Sequence, residues 1–181
     1  LINVKSIING INLSSLLIKI DKKIDQFLIA GKILTKKKEF DRDQLDTLTS
    51  NFLKKINLEK VKFNSENDIS FNISKKFKIN NLSINSKINI DNLILVNNFI
   101  DLKKYVPGWE KIMSFEDHTI IIAYDKEKLD IKGKGKFLIK DKIDSIDYKV
   151  IKKNDEFTFN TKTKFKNNKV LIDFLDYEKK E

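Results

Sequence analysis

The chain has 181 residues, 40% of them hydrophobic and 34% charged, with a net charge of +10 and no cysteine. That content is too apolar for a disordered chain, and the missing thiols exclude a disulfide framework and a thiolate metal site. Arg42 is the sole arginine among 36 basic residues, which speaks against bidentate reading of phosphate or guanine and makes the lysines a solvated face.

In chain order, residues 1–35 read as three strands: Ile2 to Ile7, Ile11 to Ile20, and Ile24 to Leu34 after a turn at Asp21-Lys22-Lys23. Lys36-Lys37-Lys38-Glu39 reads as a charged connector. Asp41 then provides an N-cap, with Gln44 three residues on as in a capping box. Leu45, Leu48, Phe52, Leu53 and Ile56 follow as one apolar stripe, which predicts an amphipathic helix over about 41–56 that covers an apolar surface.

From 58 to 96 the period is two. Ile69, Phe71 and Ile73 alternate with polar residues, as do Phe77 and Ile79, Leu82 and Ile84, and Ile88 and Ile90. The phase changes are expected to be turns at Ser65-Glu66-Asn67, Lys75-Lys76, Asn80-Asn81 and Ser86-Lys87, separating short strands. A loop or short helix is expected near 98–117, around Pro107-Gly108. Strands resume over 119–177: Thr119 to Tyr124, Leu129 to Ile139, then a strand with Ile146, Tyr148 and Val150. Two further strands carry Phe157, Phe159 and Phe165, then Val170, Ile172 and Phe174. Evenly spaced strands with no helices between them predict a mainly β fold, an antiparallel meander forming a twisted, curled, gutter-like sheet.

No motif carries chemistry. His118 lacks partners and reads as a surface or turn histidine, with Glu116 the neighbour able to share its side. Gly133-Lys134-Gly135-Lys136 lacks the ending of a phosphate loop, so its glycines are expected to admit a bulge or a bulky neighbour. In the stretch starting at Asp41, Leu45 and Asp46 stand where a calcium loop needs an oxygen ligand and a glycine. Trp109 is expected to plug one end of the sheet. The chain is therefore read as no enzyme, with no cofactor, no metal site and no nucleic-acid partner.

The expected lining of the apolar face is Ile69, Phe71, Ile73, Phe77, Ile79, Leu82, Ile84, Ile88, Ile90, Phe137, Ile139, Tyr148, Val150, Phe157, Phe159, Phe165, Val170, Ile172 and Phe174. Leu45, Leu48, Phe52, Leu53 and Ile56 of the helix would cover it.

The run "KLDIKGKGKFLIKDKIDSIDYKVIKKNDEFTFNTKTKFKNNKVLIDFLDY" joins a Gly-x-Gly strand, an Asp-x-x-Asp-Tyr strand, a charged turn and Phe-x-Phe. It resembles the repeated β units of large AsmA-like proteins of the YhdP type, and "FNISKKFKINNLSINSKINIDNLIL" resembles another such unit. The resemblance implies a segment of a longer repetitive β protein, which a start at Leu1 rather than methionine also leads one to expect. It further implies a periplasmic location, tethered to the inner membrane through regions outside this segment. The apolar groove would carry phospholipid acyl chains between inner and outer membranes, with envelope proteins as further partners. The alternative expectation is a structural β-sandwich module of an envelope or surface protein.

Overall fold

The computed structural model describes residues 2–8, 11–48, 58–96, 103–154 and 156–180. Nine strands form one antiparallel sheet in strict sequence order: β1 (Ile2–Ile8), β2 (Ile11–Lys22), β3 (Gln26–Asp41), β4 (Leu58–Ser74), β5 (Ile79–Val96), β6 (Ile112–Asp125), β7 (Lys128–Ile139), β8 (Lys142–Lys153) and β9 (Glu156–Lys164). The sheet is mainly a meander and stays open, since β1 and β9 are edges rather than partners. A second, two-stranded sheet pairs β10 (Val170–Ile172) with β11 (Tyr177–Lys179) across a 3-10 turn at Asp173–Leu175.

The meander expected from the alternation is present, but its pieces are longer. Residues 58–96 form two strands joined at Lys75-Lys76, not a series of short ones. With 17 residues, β4 is about 55 Å long at ~3.3 Å per residue. Ser65-Glu66-Asn67, Asn80-Asn81 and Ser86-Lys87 lie inside strands, and the 36–39 "connector" continues β3. Likewise β6 begins at Ile112, inside the stretch expected to be loop or short helix.

Bulges account for the phase changes. The β4–β5 register shifts between Ser70 and Asn72, where Asn81 has φ 53°. The β6–β7 register shifts between Glu116 and Thr119, where Asp117 has φ 47°. A further shift in β3 lies between Thr35 and Lys38. An extra residue flips which parity faces the core, so Phe115 and His118 share a face although three residues apart. Two bulges carry ion pairs: Lys37 Nζ to Asp91 Oδ2 at 2.6 Å, and Lys136 Nζ to Asp117 Oδ2 at 2.7 Å.

One helix, α1 (Arg42–Leu48), follows β3 without a break. The capping box forms as expected: the Gln44 amide donates to Asp41 Oδ1 at 2.9 Å, and the Asp41 amide to Gln44 Oε1 at 3.4 Å. The rest of the expected helix, with Phe52, Leu53 and Ile56, lies outside the described residues, as does the Leu48 side chain.

Candidate functional site

Directly opposed residues of an antiparallel pair project to the same face, so the register fixes both faces of the sheet. One face carries Phe27, Ile29 and Ile33 of β3, Ile69, Phe71 and Ile73 of β4, and Ile79, Ile84, Ile88 and Ile90 of β5. It continues through Ile120 and Ile122 of β6, Ile131 and Phe137 of β7, Tyr148 and Val150 of β8, and Phe157 and Phe159 of β9. Leu82 joins it by alternation with Ile84. Among the described residues the only other sheet is the two-stranded β10–β11 ribbon.

The opposite face carries Lys32, Asp68, Ser70 and Asn85, then Lys132, Lys134, Lys149 and Lys162. Two shallow depressions open on that polar side. One, of about 320 Å³, is bordered by Ala30, Ser70 and Ser83, where small side chains leave room. The other, of about 430 Å³, is bordered by Lys132, Lys134, Lys149 and Lys162. Leu17, Ile121 and Ile143 are exposed there too, so this face is not uniformly polar.

The apolar face is covered at two places. At one, α1 seats Leu45 with Phe40, Val61 and Ile90, and Phe40 stacks on Phe63 at 5.0 Å. At the other, Val106, Tyr105 and Trp109 pack on Phe137 and Ile139. Trp109 thus plugs one end, as expected, and Phe137 and Ile139 are buried rather than lining an open groove. Phe165 meets Phe137 edge-on at 5.9 Å and joins the same plug.

Asp144, 3% exposed, fastens this end. Its Oδ1 accepts from the amides of Lys166 at 2.6 Å and Asn167 at 3.0 Å, and Oδ2 from Asn168 Nδ2 at 2.8 Å. The chain leaves β9, crosses to Tyr105, whose carbonyl accepts from the Leu171 amide at 2.7 Å, and builds the small sheet. Three lining assignments are corrected by this path. Val170 and Ile172 belong to β10, outside the nine-stranded sheet, and Phe174 sits in the 3-10 turn, its side chain outside the described set. Phe77 is also misplaced: it occupies the β4–β5 turn at φ 56° and is 88% exposed.

A belt of polar residues interrupts the apolar face in its middle. Ile33, Asn67 and Ser86 are register partners, as are Thr35, Ser65 and Ile88. Asn67 Nδ2 donates to Ser65 Oγ at 3.0 Å and to the Ile33 carbonyl at 3.3 Å, so the belt is partly self-satisfied. The belt was not visible in the sequence, where 65–67 and 86–87 looked like turns. On β6 and β7 the corresponding positions are Ile122 and Ile131, and the face stays apolar there.

His118 departs from the surface or turn position expected of it. It is buried on the apolar face at 4% exposure, not at the surface. Phe115 meets its ring edge-on at 5.4 Å and Tyr148 stacks at 6.2 Å. Neither ring nitrogen makes a hydrogen bond of good geometry. Burial pushes its pKa down, opposed by the nearby carbonyls of Glu116 and Lys136. Glu116 itself pairs with Lys136 across β6–β7, on the other face. The Tyr148 phenol is likewise pushed up by burial. Gly133 and Gly135 lie under these two rings, as the Gly-x-Gly spacing led one to expect.

The arrangement offers apolar surface, edge aromatics and lysine charge. Ile20, Phe27 and Ile79 are exposed near one end of the apolar face, Phe157 and Phe159 along the β9 edge. No family model, curated protein or solved structure matches the chain.

Proposed function

We propose that the apolar face binds lipid acyl chains, and that this chain is one segment of an AsmA-like, envelope-spanning conduit for phospholipid. The observation that carries the reading is the shared facing of Ile69, Phe71, Ile84, Ile122, Ile131 and Val150 across five strands, where the only other sheet among the described residues is the short β10–β11 ribbon beside the plugged end. Burying one such side chain against an apolar partner is worth about 1.5–3 kcal/mol, so a face of this size favours an apolar occupant. The polar belt at Ser65, Asn67 and Ser86 narrows the path to β6–β8, where Ile120, Ile122, Ile131 and Val150 form an apolar run beside His118 and Tyr148.

The test is lipid extraction of the purified protein followed by mass spectrometry. Phospholipid at a fixed molar ratio supports the reading, and a lipid-free, monodisperse protein that also takes up no fluorescent fatty acid sinks it. A second reading, a structural β module with protein partners, draws on the packed plug of Val106, Trp109, Phe137 and Ile139. It is favoured by the lipid-free outcome.

A further inference from the structure

Strand β9 is the edge of the large sheet, bonded to β8 along one side only. Natural edge strands are blunted by proline, by bulges, by short length or by charge. Over its nine residues β9 has no proline, no glycine and an unshifted register with β8. Its first half presents Phe157 and Phe159, 55% and 70% exposed and stacked on one another at 6.0 Å. Its charges sit at its ends: Glu156 at the start, Lys162 and Lys164 at the finish. Among the described residues neither Glu156 nor Lys164 has a charge partner.

This pattern is self-complementary. We propose that β9 pairs with β9 of a second copy of this chain, antiparallel, about a two-fold axis through Asn160. That register alone pairs all nine residues. It sets Glu156 against the partner's Lys164 at both ends, two ion pairs from one sequence. Phe157 then opposes the partner's Thr163, and Phe159 the partner's Thr161, on the apolar face. Thr158 opposes the partner's Lys162 on the polar face. The axis stands perpendicular to the sheet, so the apolar faces of the two copies join into one surface. Edge amides and carbonyls find partners, and the exposed phenylalanines gain neighbours. The proposal is independent of whether that surface holds lipid.

Because the chain has no cysteine, a single introduced thiol reports the register. In an Asn160→Cys variant the two thiols face each other across the axis, with Cα atoms about 4.5–5.5 Å apart, within disulfide reach. In a Thr158→Cys control they are offset by four residues, about 13 Å, and out of reach. The expected result is oxidative dimer for Asn160→Cys and monomer for Thr158→Cys. Lys164→Glu should weaken the non-covalent dimer about tenfold in sedimentation, and Lys164→Glu combined with Glu156→Lys should restore it. Equal cross-linking at both positions overturns the proposal, as does a wild-type protein that sediments as a monomer at every concentration. A charge swap that fails to restore the dimer overturns the register.

Discussion

The imidazole of His118 lies directly over Gly135: a methyl group at position 135 would stand 2.1 Å from Nδ1. The neighbouring Gly133 stands in the same relation to Tyr148, with a methyl 2.0 Å from the ring. No side chain but hydrogen fits beneath either ring while the ring keeps its place. Gly135→Ala and Gly133→Ala are each expected to cost about 1–3 kcal/mol in urea unfolding. Combining Gly135→Ala with His118→Ala should recover part of that cost, because the clash is removed with the ring. Gly108→Ala is the contrasting case: its methyl would meet Ile139 at 3.6 Å, an ordinary contact, and should be close to neutral.

The same histidine makes stability depend on pH. Its folded pKa lies below the ordinary 6.5 because burial disfavours the imidazolium. The unfolded chain therefore binds the proton more readily, and stability falls as pH drops below about 6.5. His118 is the sole histidine in the chain. Stability followed between neutral and mildly acidic pH should decline in the wild type and stay flat in His118→Phe. The Asp117 carboxyl, held low by the hydrogen bond and charge of Lys136, acts only in a more acidic window, below 3.8.

Asp144 anchors the crossing strand after β9 through three hydrogen bonds to a buried carboxylate. Asp144→Ala leaves the Lys166 and Asn167 amides without their acceptor and should cost about 2–4 kcal/mol. Amide exchange should quicken first at Leu171, which bonds to the Tyr105 carbonyl in the same plug.

Much of this architecture was legible in the sequence. The Asp41/Gln44 cap, the turn at Lys75-Lys76, the Trp109 plug and the glycines under bulky rings all follow from local chemistry that a sequence displays. What was not legible has one main cause. A bulge and a turn both appear as a break in two-residue alternation, and only pairing tells them apart. Asn80-Asn81 and Asp117-His118 were misread for that reason, and His118 went from surface to core with the parity. Polar triplets such as Ser65-Glu66-Asn67 resemble loops, but here they pair in register with Ser86 to Ile88. The β10–β11 sheet was hidden because Val170 and Ile172 alternate like any strand, and nothing local states which sheet receives them.

The lipid reading separates the two faces experimentally. Phe71→Asp places a charge on the apolar face and should lower the lipid retained per protein several-fold. Lys134→Glu changes the charge of the opposite face and should leave it unchanged, as read by lipid extraction of both variants. Equal loss in both would point to a surface effect instead of an acyl-chain contact.

Every bonded pair in the large sheet joins strands that are neighbours in sequence. In its backbone bonding the sheet is then a zipper with two free ends, each tooth bonded only to the teeth beside it. Among the described residues no pairing of β1 with β9 locks the edges, so opening begins at an edge and travels inward, and the long β4–β5 hairpin is the last to part. Pulling across the strands should meet a series of modest steps, where a closed barrel would give one large one.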